Sequence, residues 1–132
     1  MRYMLDTDIC IYISKNSPAT VLRKLKSLSS EDACLSAITY GELRYGAEKS
    51  TQRDRNLDTI TGLKRIVPVA PFGEDASEEY GIIRAHLEKK GQPIGGNDLL
   101  IAAHAKALDL ILVTNNIREF RRVPGLSIEL WT

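Results

Sequence analysis

The chain alternates short apolar runs with longer segments of helical periodicity, and this alternation constrains its fold more than any other feature. Runs that predict strands lie at residues 3–5, 33–35, 67–69, 111–114 and 127–131. Parallel strands need a crossover connection, usually a helix, so this order predicts a parallel sheet with right-handed crossovers. We therefore expect an α/β fold.

The segments between these runs predict the helices. Their expected ranges are 9–14, 18–28, 38–49, 53–64, 75–90 and 98–108, followed by a short helical turn at 116–123. We expect Thr7 or Asp8 to cap the first helix, and helices 38–49 and 53–64 to pair as a hairpin. Tyr45 is one of the residues expected to face inward, and Pro68 confines run 67–69 to an edge strand or a strand start.

Length and composition fit one soluble domain spanning residues 1–132. Apolar residues make up 43% of the chain and charged residues 27%, which is ordinary globular usage. No run approaches the ~20 apolar residues that a membrane span needs, and MRYML lacks the parts of a signal peptide. We expect a cytoplasmic protein without membrane partners, in which Cys10 and Cys34 are buried free thiols.

Acidic side chains occur where predicted strands end or where the following helices begin. Asp6 ends the first run, and Glu42 lies one turn into the helix after the second. Asp98 opens the most apolar helix, and Asn116 and Glu119 follow run 111–114. The carboxyl ends of parallel strands meet at one edge of a sheet, where ligands bind. We therefore expect these side chains to lie close together.

Each acid also has a purely structural explanation. Asp6 can simply cap the next helix, and Glu42 can form a capping box with Thr39. Asp98 can act only on the helix dipole, although Asn97 is available as the cap. Glu119 can be a solvated surface acid.

A divalent cation explains the clustered acids best. Carboxylates within a few ångströms of one another repel unless a cation neutralises them. An all-oxygen donor set without His or Cys suits Mg²⁺, with Mn²⁺ as a plausible substitute. His86 and His104 are mid-helix residues that we expect in the core or on the surface, and no GxSxG, Walker A or GxGxxG motif occurs.

The charge balance is compatible with a polyanionic substrate. The net charge of the whole chain is +1, so the residues other than the four acids carry a more positive net charge. An acidic pocket in a basic surround can hold a polyanion over a metal. Candidate contacts to such a polyanion are Arg44, Lys49, Arg84 and Arg118.

Four ordered motifs resemble the PIN-domain ribonucleases, specifically the VapC-type toxins of bacterial type II toxin–antitoxin systems. The motifs are MLDTDICIY, SAITYGELRYGAEKS, PIGGNDLLIAAHA and LVTNNIREF. Each is weak alone, but the ordered set spans nearly the whole chain. The resemblance implies a three-layer α/β/α sandwich with a mainly parallel central sheet.

The resemblance also implies a magnesium- or manganese-dependent endoribonuclease toxin. Asp6, Glu42 and Asp98 fall on the family's acidic positions, and Glu119 falls on the usual fourth. Similar enteric members act on the anticodon loop of initiator tRNA. Members typically homodimerise, are neutralised by a VapB-type antitoxin and contact operator DNA only through that antitoxin.

On this basis we expect metal-assisted phosphodiester hydrolysis. Asp6 and Asp98 are the expected direct metal ligands, with Glu42, Glu119 and possible ligand Asn116 contributing directly or through water. Substrate-positioning candidates are Thr7, Thr114, Asn115, Gly95 and Gly96.

Asp8 keeps a second enzymatic interpretation open. Many relatives carry Asn at this position, so Asp8 is a natural variation, a capping residue or an engineered change. An apolar strand that ends in Asp6-Thr7-Asp8 also resembles haloacid-dehalogenase-type phosphatases, in which the first acid is the nucleophile. A third interpretation is a non-catalytic PIN-like module that binds RNA or protein.

Overall fold

Five short strands form one parallel sheet in the computed structural model, which describes residues 1–29 and 31–132. The strands are β1 (Tyr3–Leu5), β2 (Ala33–Ser36), β3 (Val69–Ala70), β4 (Ile111–Val113) and β5 (Ile128–Glu129). Their spatial order is β3-β2-β1-β4-β5, and every neighbouring pair is parallel. The predicted parallel sheet is confirmed.

The central strand β1 marks the point where strand order reverses. Its Met4 pairs with Cys34 of β2 on one side and with Leu112 of β4 on the other. The chain runs from β1 outward through β2 and β3, and it fills the other half of the sheet with β4 and β5. Ligands of open α/β sheets bind beyond the carboxyl ends of the strands at such a switch point.

Helices cover both faces of the sheet. The helices in the described residues are α1 (Thr7–Ser14), α2 (Ala19–Lys26), α3 (Ala37–Glu48), α4 (Arg53–Ile66), α5 (Glu74–Lys89), α6 (Gly96–Ala107) and α7 (Ile117–Phe120). Met4 and Leu112 pack with α5 and α6, whereas Leu5 and Val113 pack with α1 and α4. These two clusters confirm the three-layer α/β/α sandwich.

Local features of the edge strand and the thiols also match expectation. β3 is an edge strand, and Pro68 precedes it, with its carbonyl accepting from the Leu35 amide at 3.0 Å. Cys10 and Cys34 are buried free thiols. Among the helices in the described part of the chain, none is long and apolar enough to cross a membrane.

The starts of three helices differ from those that the capping candidates in the sequence favoured. Asp6 caps α1 in place of Thr7 or Asp8, since its carboxylate accepts from the Ile9 amide at 3.1 Å. Ser36, rather than Thr39, caps α3, so the capping box that was the structural alternative for Glu42 does not form. Gly95 precedes α6 without a side-chain cap, and Asn97 lies inside the helix.

Tyr45 also departs from its predicted position. Its side chain is 65% exposed on α3, where the Lys49 ammonium lies 4.7 Å from the ring centroid. The cation–π contact gives the aromatic ring a polar partner at the surface.

Candidate active site

Asp6 lies at the centre of a buried hydrogen-bond network. Its side chain is 5% exposed at the end of β1, and one oxygen accepts from the Ile9 amide of α1. The other oxygen accepts a hydrogen bond from the Thr114 hydroxyl, at the end of β4. Two adjacent strands and a helix N-terminus therefore fix this carboxylate.

Glu42 reaches the same edge of the sheet from α3. Its Oε1 accepts from the Thr7 hydroxyl at 2.6 Å, and its Oε2 accepts from the Asn97 amide nitrogen at 3.1 Å. The hydroxyl of buried Thr39 lies 3.4 Å from that of Thr7. Glu42 is thus held between α1 and α6, and it does not act as a capping residue.

Asn116 joins the remaining two acids. Its side-chain nitrogen lies 2.7 Å from Glu119 Oε2 and 3.3 Å from Asp98 Oδ2. Its backbone amide donates to the Thr114 hydroxyl at 2.9 Å, which continues the network to Asp6. In this arrangement Asn116 directs its nitrogen, rather than its carbonyl oxygen, at the carboxylates.

The acids perturb one another strongly. Burial is the largest cause that raises the pKa of Asp98 to about 7, followed by a hydrogen bond to Glu119 and by the charges of Glu119, Glu42 and Asp6. The Asn116 amide and then Asp98 lower the pKa of Glu119. The two carboxyl groups therefore shift in opposite directions, and Asp98 is the one that favours its protonated form.

Asp6 resists ionisation for a similar reason. Burial raises its pKa to about 6, and the hydrogen bonds from Thr114 and Ile9 only partly oppose this. No salt bridge to Asp6, Glu42, Asp98 or Glu119 occurs among the described residues. In the described part of the chain, no ammonium or guanidinium group lies within 4.0 Å of these carboxylates, and the charge of Arg122 is only the last cause of the lowered pKa of Glu119.

The donor set fits a small divalent cation. Carboxylate, hydroxyl and amide oxygens are the ligands that Mg²⁺ and Mn²⁺ prefer. Hydrogen-bond donors hold the carboxylates apart, and within residues 1–29 and 31–132 no three His, Cys, Asp or Glu side chains already converge as a metal cage. Asp6 and Asp98 are side chains that could hold such a cation.

Asp8 lies outside this network. Its side chain is exposed in the first turn of α1, where an acid interacts favourably with the helix dipole. Its charge is only a minor cause of the raised pKa of Asp6.

The two cysteines are poor nucleophiles. Burial raises the pKa of the Cys10 and Cys34 thiols, and that of Cys34 reaches about 11. Thiolate nucleophiles are therefore unfavourable here.

Other predicted site residues take different positions. Asn115 donates to the Tyr12 hydroxyl at 2.9 Å and accepts from Thr132, so it braces α1 against the C-terminus. Arg44 pairs with Glu48 at 2.7 Å, while Arg118 is exposed beside the site on α7.

A buried contact beneath the site was not predicted. Ser36, the cap of α3, lies 2.7 Å from Nδ1 of His104, which is 1% exposed on α6. Burial lowers the pKa of His104, so the imidazole is neutral at pH 7. The contact joins the helices that carry Glu42 and Asp98. Ser36 is a small residue and His104 lies in the middle of a helix, so neither stands out in the sequence. They are 68 residues apart, and no sequence pattern predicts their contact.

We expect the acids to make stability fall with rising pH when divalent cations are absent. The folded-state pKa values of Asp6 and Asp98, about 6 and about 7, lie above the reference value of 3.8. The folded chain therefore binds extra protons, and that stabilisation is lost as pH rises through about 6–7. The melting temperature in EDTA should drop by a few degrees between about pH 5 and pH 8.

Mg²⁺ should reverse this loss at about pH 8, because the cation replaces the protons as the partner of the carboxylates. Asp98→Asn, which removes one titrating charge, should reduce both the pH effect and the Mg²⁺ effect. If the melting temperature of the wild type at about pH 8 does not change with Mg²⁺, the carboxylates do not form a cation site.

Known proteins resemble this chain over its full length. The PIN domain family matches residues 3–126. The tRNA(fMet)-specific endonuclease VapC of Shigella flexneri is 46% identical over 132 residues, covering 100% of this chain and 99% of the relative. The protein of the same name from Salmonella typhimurium is 44% identical over 131 residues, covering 99% and 98%.

Solved structures agree with the sequence comparison. DNA-bound VapBC from Salmonella typhimurium superposes with a TM-score of 0.94 at 43% identity, covering 100% of this chain and 99% of the other. VapBC2 from Rickettsia felis, bound to a promoter DNA fragment, gives 0.94 at 39% identity and 100% coverage of both chains. With its acids gathered at the switch point of a parallel sheet, this chain belongs to the PIN-domain family, among the VapC proteins.

Proposed function

We propose that this protein is a metal-dependent endoribonuclease toxin that cleaves the anticodon loop of initiator tRNA. One observation carries the proposal: Asp6, Glu42, Asp98 and Glu119, from four separate elements, gather at one edge of the sheet without a salt-bridge partner in the described chain. The relatives named tRNA(fMet)-specific endonucleases support the substrate.

Asp6 and Asp98 are the proposed direct ligands of Mg²⁺, for which Mn²⁺ can substitute. Glu42 and Glu119 complete the charge, directly or through water, and Asn116 can contribute its oxygen by turning its amide. When bound, such a cation activates water and neutralises charge that develops on a phosphoryl oxygen.

The protein itself holds the reacting groups in place. Thr114 orients Asp6, and Thr7 orients Glu42. Without a cation, burial and then the neighbouring Glu119 raise the pKa of Asp98 to about 7. A bound cation would lower that pKa, so Asp98 would meet the cation as a carboxylate.

The start of α6 is the proposed phosphate contact. α6 begins at Gly96 with no side-chain cap, so its first amides remain free to donate. Gly95 lies so near the site that a Cβ there would be 3.6 Å from Asp98 Oδ2. Gly95 and Gly96 are both exposed and carry no side chain, so a phosphate can approach their backbone closely. Arg44, Lys49, Arg84 and Arg118 remain candidate contacts for the rest of the RNA.

The nuclease proposal predicts Mg²⁺-dependent cleavage of a tRNA pool, abolished by EDTA. Asp6→Asn and Asp98→Asn should each lower the cleavage rate about 100-fold or more, because each removes a charge that binds the cation. Asn is as good an N-cap as Asp, so Asp6→Asn keeps the cap of α1. Gel analysis of the products measures the rates.

Asp8→Asn is the matched control, since it makes the same exchange at an exposed position two residues away. It should keep wild-type RNA cleavage. The proposal is wrong if RNA cleavage persists in EDTA, or if Asp98→Asn cleaves RNA at the wild-type rate. Loss of a phosphatase activity in Asp8→Asn, with no RNA cleavage in any variant, would favour the phosphatase interpretation.

We further propose that a VapB-type antitoxin neutralises the protein. A groove of about 740 Å³ runs between α1, α3 and α4, and Thr7 and Glu42 line it. A second, apolar groove of about 370 Å³ lies between α1, α2 and the end of α4, lined by Leu22, Leu25 and Ile66 among others. An antitoxin segment in the first groove would reach the acids. The VapBC structures that resemble this chain support such a complex.

By the same likeness, we propose that the protein is a homodimer and that it contacts operator DNA only through the antitoxin complex. The DNA-bound VapBC structures support the second point.

Gly46 offers a test of the antitoxin groove. It lines the groove, and a Cβ there meets no atom within 4 Å, so a larger side chain is sterically allowed. Gly46→Trp should weaken inhibition by the cognate antitoxin at least tenfold by filling the groove. The inhibition constant, measured in the cleavage assay, reports this.

Gly81→Trp is the control on the far helix α5, where a Cβ also meets no atom within 4 Å. It should be inhibited like the wild type. Unchanged inhibition of a folded Gly46→Trp would place the antitoxin elsewhere.

A further inference from the structure

A third cavity opens at the start of α6, on the side away from the antitoxin groove. It encloses about 300 Å³ between the segment Tyr80–Glu88 of α5 and the start of α6. Tyr80, Arg84 and Glu88 of α5 line one wall, and Ile94 and Gly96 line the other. Such a volume is at the lower end of the range for small-ligand sites, about 300–1,000 Å³.

The cavity shares its rim with the acidic site. Gly96 lines the cavity, and Asp98 lies in the same first turn of α6. The next lining residue along the helix, Leu99, directly follows Asp98. The first turn of α6 therefore contributes to the cavity through Gly96 and Leu99 and to the acidic site through Asp98.

An aromatic ring and a guanidinium group dominate the polar wall. The half-buried ring of Tyr80 packs against the core cluster around Ile83 and Leu87, which holds it in place. Arg84 Cζ lies 5.9 Å from the ring centroid, and its Nη1 donates to the Tyr80 hydroxyl at 2.7 Å. Aromatic rings and arginine planes are the surfaces on which unstacked RNA bases stack.

The charge balance of the wall favours a base over a phosphate. Arg84 Nε pairs with Glu88 Oε2 at 3.0 Å, so a neighbouring carboxylate largely neutralises the guanidinium. A phosphate would meet Glu88 as a like charge. A neutral, planar ligand with both donors and acceptors on its edge can use Arg84 and Glu88 together.

We propose that this cavity binds one unstacked base of the RNA, next to the cleaved phosphodiester bond. The proposal rests on the proposed nuclease function and adds a binding site for the substrate. Tyr80 stacks on the base, and Arg84 and Glu88 contact its edge. The site selects RNA whose base is free to leave its stack, as in a loop.

Removal of the ring should weaken RNA binding without slowing the chemical step. For Tyr80→Leu we expect KM to rise about 10-fold, within the range for loss of one base–aromatic stack, and kcat to stay within about twofold. Tyr80→Phe keeps the ring and should restore a near-wild-type KM. Tyr40→Leu is the control, because Tyr40 is also half-buried with a lysine 4.7 Å from its ring, but it lines no part of this cavity.

Abasic substitutions identify the base that enters the cavity. Single-stranded RNA oligomers of the anticodon loop sequence, each with one abasic position, should show one position near the cut at which wild-type KM rises about 10-fold. Tyr80→Leu should show no further loss at that position, because the contact is already gone. Thermal unfolding checks that every variant is folded.

The outcomes separate this proposal from the nuclease proposal. A folded Tyr80→Leu with wild-type KM, or one that suffers the abasic penalty in full, overturns the base site. If the wild type cleaves no RNA, the nuclease proposal fails. Binding of the same oligomers in EDTA, measured by fluorescence anisotropy, still tests the dependence of affinity on Tyr80.

Discussion

The buried carboxylate of Asp6 is the interaction on which the site depends. It ends the central strand β1, caps α1 through the Ile9 amide and accepts from Thr114 at the end of β4. A buried charge without a cation is costly, which is why its pKa rises to about 6. The same residue therefore connects β1, α1 and β4, and its ionised form is stabilised by a bound cation.

The sheet and its acids were predictable because they follow from local patterns. Short apolar runs that end in polar residues identified the strands, and parallel pairing then brought Asp6 and Thr114 together at one edge. Asp98 was predictable as the acid that opens an apolar helix after Gly95 and Gly96. The order of the motifs, rather than any single residue, indicated the family.

The contacts that hold the acids were less accessible from sequence. Thr7 binds Glu42 across 35 residues, and Ser36 meets His104 across 68, so no spacing rule connects them. Helix caps were mispredicted because several polar residues stand side by side, and only backbone geometry decides which one caps. The cavity at Tyr80 could not be predicted, because the position of Tyr80 in the helix is also the position expected for a core residue.

The carboxylates at the switch point of the sheet are expected to bind a divalent cation. A crystal structure with Mn²⁺, with anomalous scattering recorded from the metal, would locate that cation. We expect an anomalous peak at about 2.1 Å from carboxylate oxygens of both Asp6 and Asp98. A peak elsewhere, or none at saturating Mn²⁺ while Asp6 and Asp98 keep their present hydrogen bonds, would contradict it.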